Sequence, residues 1–207
     1  MKKDIALLGF YSALAAFVAA VGYCVVQILQ ITGLIIYPVD DILIYGFSLG
    51  IAPPFLLAML ALHYSVPGER RIWSHAALLF AILYNAYVIL MYTVQLTVVI
   101  PASIPDASKD VLVAAPHSFF WTIDALGYIC LGISTLFAAF VFVNKGPEKW
   151  IRRFFIANGL MVPVIMFVYF YPHFSVGLLL IAFPWVITVP GSLLLLSIFF
   201  KRNVPKN

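Results

Sequence analysis

The sequence predicts an all-α membrane protein, a bundle of six transmembrane helices with both termini in the cytoplasm. Three observations carry that prediction. Of the 207 residues, 64% are hydrophobic and only 10% are charged, whereas soluble domains carry about 25% charged residues. Six apolar runs reach the roughly 20 residues that cross a bilayer as a helix. With the N-terminus placed inside, Lys2, Lys3, Arg70, Arg71, Lys145, Lys149, Arg152, Arg153, Lys201, Arg202 and Lys206 fall in cytoplasmic segments and only Lys109 falls outside. That asymmetry is the positive-inside pattern. The formal charge of +4 therefore reports topology and is no sign of a nucleic-acid partner.

The runs span 5–36, 41–64, 72–100, 117–143, 150–171 and 174–200, and all 207 residues read as one integral membrane domain. The first follows a Lys-Lys start but is too long for a signal-peptide core, so it reads as a retained helix. The short connections "YPVDD", "SVPGERR", "NKGPEK" and "YPHF" each contain Pro, the punctuation expected between helices. The longest, 101–116, has room for a short interfacial turn. Trp73 and Trp150 fall at the inner interface, where aromatic belts form. Pro53, Pro54, Pro163, Pro184 and Pro190 lie inside the runs and mark places where helices kink or break. The expected location is the plasma (inner) membrane. Cys24 and Cys130 lie in apolar runs and read as small buried side chains rather than a disulfide or metal pair.

Intramembrane ionisable residues are costly, on the order of 3 kcal/mol at the bilayer centre. Asp124 is the one such residue well inside an apolar run. His117, Trp121, Asp124 and Tyr128 recur at steps of four, three and four and so share one helix face. Other runs carry polar residues at comparable depth: Tyr23, Gln27 and Gln30 in the first, Tyr45 and Ser48 in the second, Tyr92 and Gln95 in the third. Asn85 lies near the middle of the third run, and Asn158 in the inner half of the fifth. Most of this polar inventory lies in the outer half of the bilayer. Isolated Gln and Asn side chains commonly bond between helices, but a carboxylate with no Lys or Arg at its depth needs a partner, water or a ligand.

These residues define a candidate ligand site of Asp124, Trp121, Tyr128, His117, Gln27, Tyr92 and Gln95, within an outward-facing pocket for a small, largely apolar molecule or lipid. Aromatic walls with a few convergent polar groups are what such pockets present. Two alternatives are a structural subunit of a larger membrane complex, and an enzyme acting on a lipid or isoprenoid with Asp124 as general acid and His117 as base. Zinc-type HExxH spacing, nucleotide-binding glycine motifs and nucleophile motifs are absent from the sequence, so it gives no metal, no cofactor and no assignable catalytic residue. Ala13, Ala16 and Ala20 form a small-residue strip suited to close helix packing, within the chain or with a membrane partner. Ala15/Ala19 and Ala16/Ala20 also match an AxxxA spacing. In topology and in this first helix the chain is similar to the substrate-binding components of energy-coupling-factor vitamin transporters. That resemblance implies an outward-facing ligand site and a partner docked on the first helix.

Overall fold

The computed structural model describes residues 1–101 and 111–205. Every regular element among them is helical, and six helical spans are long and apolar enough to cross a membrane. This is the architecture of a polytopic membrane protein. The helices are α1 (Lys3–Ile31), α2 (Val39–Ser65), α3 (Arg71–Val94), α4 (Phe119–Ala139), α5 (Glu148–Gly159), α6 (Val162–Phe170), α7 (Val176–Ile181) and α8 (Trp185–Arg202). A 3₁₀ turn (Gly68–Arg70) leads into α3, and a π-turn (Gln95–Val99) extends it. The connection 101–116 falls largely outside the described residues.

Each span packs against its predecessor and successor, and α8 returns to α1, so the six spans close a ring in chain order. α4 sits deepest: 67% of its apolar stretch is buried within the protein, against 33–44% for the other spans. The remaining spans each turn a broad Leu-, Ile- and Val-rich face outward, as with Val18, Val25, Leu79, Leu90 and Ile187. Among the described residues, the basic side chains of the α1 start, the α2–α3 turn, the α4–α5 connection and the α8 end gather at one end of the ring. Asp40 and Asp41 lie at the other. These are called the basic and acidic ends below.

Several boundaries differ from the hydropathy limits, each for a local reason. The first helix stops at Ile31 rather than 36. Gly33 adopts a left-handed φ of 71°, and Leu34 N–H reaches Leu29 O at 2.9 Å while Gly33 N–H reaches Gln30 O at 3.0 Å. This paired 6→1 and 5→2 pattern ends helices at glycine. The fourth helix starts at Phe119, two residues late, because Ser118 Oγ accepts the Trp121 N–H at 3.1 Å and caps it. At its far end, Arg70 Nη1 donates to Val141 O at 3.0 Å and Glu148 accepts from Val143 N–H at 3.0 Å. Basic-end side chains thus satisfy one carbonyl and one N–H of the turn that follows α4.

The fifth and sixth runs are each broken. The fifth turns at Leu160–Met161 between α5 and α6, with Pro163 in the first turn of α6. The sixth splits at Ala182–Pro184 between α7 and α8. Pro53, Pro54 and Pro190 lie inside continuous helices. The Ala13–Ala16–Ala20 strip is fully buried within the chain. In this chain it serves packing inside the ring.

Candidate functional site

The polar residues of the acidic half converge on Asp124. It is buried, five residues into α4, with one oxygen toward α3 and the other toward α6. Tyr92 Oη donates to Oδ1 at 2.7 Å, and Tyr169 Oη donates to Oδ2 at 2.7 Å. Both distances are those of well-formed O–H···O bonds. Among the described residues, the groups bonded to this carboxylate are tyrosine hydroxyls and not cations.

From Asp124 the contacts run across the ring toward the acidic end. Tyr92 Oη lies 3.0 Å from Tyr128 Oη, which lies 3.4 Å from Tyr23 Oη. Tyr23 Oη donates to Gln27 Oε1 at 3.0 Å, and Gln27 Nε2 donates to Gln30 Oε1 at 2.9 Å. Gln30 Nε2 then donates to Asp40 Oδ2 at 2.9 Å. The chain is possible because Tyr23, Gln27 and Gln30 share one face of α1, and Asp124 and Tyr128 share one face of α4.

The hydrogens in this chain can be counted. An ionised carboxylate only accepts, and each tyrosine has one hydroxyl hydrogen. Tyr92 and Tyr169 commit theirs to Asp124, and Tyr23 commits its own to Gln27. Tyr128 then has one hydrogen for two neighbours. Tyr128 Oη lies against Tyr92 Oη and is placed to donate to Tyr23 Oη at 3.4 Å.

Beside these two hydroxyls lies a cleft of about 120 Å³, bounded by α1, α4, α6, α7 and α8. Its polar wall is Tyr23, Gln27, Tyr128 and Tyr169. The facing wall includes Leu179, Leu180 and Phe183. Ile31, Leu180 and Phe183 at its rim are about half exposed and belong to the apolar outer surface, so the cleft opens sideways. Trp185 contributes an aromatic floor, with its ring 5.3 Å from Tyr23 and 5.4 Å from Tyr128, edge-on to both. The break before α8 puts Trp185 there, since it begins the helix directly after Pro184.

The structure treats the sequence-selected residues unequally. Asp124, Tyr128, Tyr92 and Gln27 join one network, and Tyr128 and Gln27 line the cleft. Trp121 stands behind it: its Nε1–H donates to Tyr169 O at 3.1 Å and its ring packs 4.5 Å from that of Tyr169. Gln95 turns elsewhere, with Nε2 donating to Leu112 O at 2.7 Å and Oε1 accepting from Ala114 N–H at 3.2 Å. It pins the chain entering α4 to the π-turn. His117 precedes the Ser118 cap, exposed and with a left-handed φ of 67°, so it leaves the face it shares in an ideal helix. Asn158 bonds Thr135 and Thr188 in a separate buried cluster that ties α4, α5 and α8. Tyr169 and Trp185 are the residues that sequence reasoning missed. The available signal was an aromatic side chain with a polar tip inside an apolar run, which needs a partner when buried. Among the described residues, no three His, Cys, Asp or Glu side chains come together to hold a metal ion.

Compared with known proteins, the chain matches no family model, no curated protein and no solved structure. The likeness to vitamin-transporter components accordingly rests on helix number and an alanine spacing.

Proposed function

We propose that this protein binds or transports a small, largely apolar molecule in the cleft between α1 and the α6–α8 segment, with Asp124 anchoring its polar wall. The observation that carries the reading is the pairing of one polar wall with an apolar facing wall and rim. Such a cleft accommodates an apolar body while a few placed groups fix one polar end. Asp124 acts through Tyr169, Tyr92 and Tyr128 rather than by lining the cleft. The apolar rim favours entry from the bilayer. With the basic end in the cytoplasm, the cleft lies in the outer leaflet. The enzymatic alternative loses its acid–base pair, since His117 stands exposed outside the network that encloses Asp124.

Native mass spectrometry of the protein extracted with its surrounding lipid tests the reading. A discrete co-purified molecule is expected. Leu180→Trp, which fills the rim, should remove it, and Leu83→Trp on the lipid-facing side of α3 should not. Retention of the molecule by Leu180→Trp, or its absence from the wild-type protein, overturns the proposal.

A further inference from the structure

We propose that the basic end carries a second binding site, a groove between α5 and α8 that holds an anionic phospholipid. The groove has a volume of about 270 Å³ and is bounded by the start of α5 and the end of α8. It shares no residue with the cleft beside Tyr23, so the two sites stand or fall separately. Ile151 of α5 and Leu195, Ile198 and Phe199 of α8 form its apolar wall. Arg202, in the last turn of α8, forms its polar end with Asn203 and Glu148. Arg202 follows Leu195 by seven residues, so the groove descends roughly 10 Å from the charged end of α8 into the apolar part of the span.

Charge decides the occupant. Arg202 is exposed, and among the described residues its guanidinium makes no hydrogen bond or ion pair. The other two polar side chains of the groove are engaged. Asn203 Nδ2 donates to Phe199 O at 2.8 Å, and Glu148 Oε2 accepts from Val143 N–H at 3.0 Å. Lys149 and Arg153 lie in the first two turns of α5 among the groove residues and outweigh the Glu148 charge. Arg153 lies over the Trp150 ring at 5.2 Å. Trp150 lines the groove and is 53% exposed, as tryptophans at the headgroup level of a bilayer are. A guanidinium is a strong donor to phosphate oxygens. An apolar trough that ends in a free guanidinium beside an interfacial tryptophan follows the order of acyl chain, glycerol and phosphate in a phospholipid. A zwitterionic lipid brings its own ammonium to an end already rich in cations, and an anionic lipid does not. An acidic peptide would meet the same cations and leave the apolar trough unfilled.

Native mass spectrometry of the full chain in mild detergent tests this, with phosphatidylglycerol and phosphatidylcholine of identical acyl chains titrated in. Phosphatidylglycerol should bind at least about fivefold tighter, the effect of one basic residue at an anionic surface. Arg202→Gln should remove most of that preference. Arg71→Gln deletes the same charge at the same end but on α3, and should leave the preference intact. Leu195→Trp fills the trough and should weaken both lipids. Arg202 is exposed, so its variant decides the matter if Leu195→Trp does not fold. Equal binding of the two lipids overturns the anionic assignment. Equal losses from Arg202→Gln and Arg71→Gln would show a diffuse field in place of a site. Displacement of phosphatidylglycerol by inorganic phosphate would show that no acyl chain is held, and would overturn the proposal as well.

Discussion

Tyr92 donates to Asp124 Oδ1 and lies 3.0 Å from the Tyr128 hydroxyl, so removing its oxygen strands two buried neighbours at once. Tyr169 also donates to Asp124 but is less deeply buried, and water reaching the cleft can replace its hydroxyl. Tyr92→Phe should therefore cost about 2–3 kcal/mol, the range for leaving charged or neutral polar groups buried without partners. Tyr169→Phe should cost no more than half as much. Reversible unfolding followed in lipid or mild detergent measures both, and equal losses would contradict the assignment of Tyr92 as the bridge. At this scale, the helical phase of single runs made Asp124, Tyr128, Tyr92 and Gln27 legible, because each sits on an unbroken helix. Gln95 and His117 lie apart from that network: a π-turn begins at Gln95, and a capped helix start follows His117.

The helices themselves follow from hydropathy and length: the first five spans fall close to their apolar runs, and the sixth (Trp185–Arg202) covers the later part of its run. Proline positions alone do not give their breaks: Pro184 marks the one in the sixth run, but other prolines mark none. Pro53, Pro54 and Pro190 are absorbed inside helices, whereas the Leu160–Met161 turn contains no proline at all. What marks that turn is packing. A Cβ on Gly132 of α4 would sit 2.5 Å from Val162 Cγ2, and one on Gly159 of α5 would sit 2.6 Å from Leu136 Cβ. Each helix offers a glycine where the neighbouring element brings a branched side chain, and this interlock seats α6 so that Tyr169 reaches Asp124. The break resets the helical phase, which is why Tyr169 could not be read from the fifth run as one helix. Gly132→Ala should destabilise the protein by about 1–3 kcal/mol, as overpacked sites do. Adding Val162→Ala should restore most of the loss, because the clash is with that one side chain. Unfolding of the two variants and the double variant forms a coupling cycle. Simple additivity would show that the α4–α6 contact does not depend on this pair.

For the molecule as a whole, the ring separates two chemistries along its axis. Its basic end is built into the fold as well as charged: Arg70 donates to Val141 O and Arg152 to Phe142 O, holding the end of α4 against the starts of α3 and α5. The acidic end carries Asp40, which Gln30 links to the chain leading to Asp124. The positive-inside rule predicts that the basic end is cytoplasmic, and that orientation would set which leaflet the lateral cleft faces. Leu34 at the acidic end is 73% exposed, and Lys145 lies in the exposed α4–α5 connection at the basic end. Cys24 and Cys130 are both buried, so a single introduced cysteine should dominate labelling. A membrane-impermeant maleimide added to intact cells should label Leu34→Cys, and should label Lys145→Cys only after the membrane is opened. The reverse pattern would put the basic end outside. The cleft would then face the inner leaflet, and the molecule proposed for it would enter from the cytoplasmic side of the bilayer.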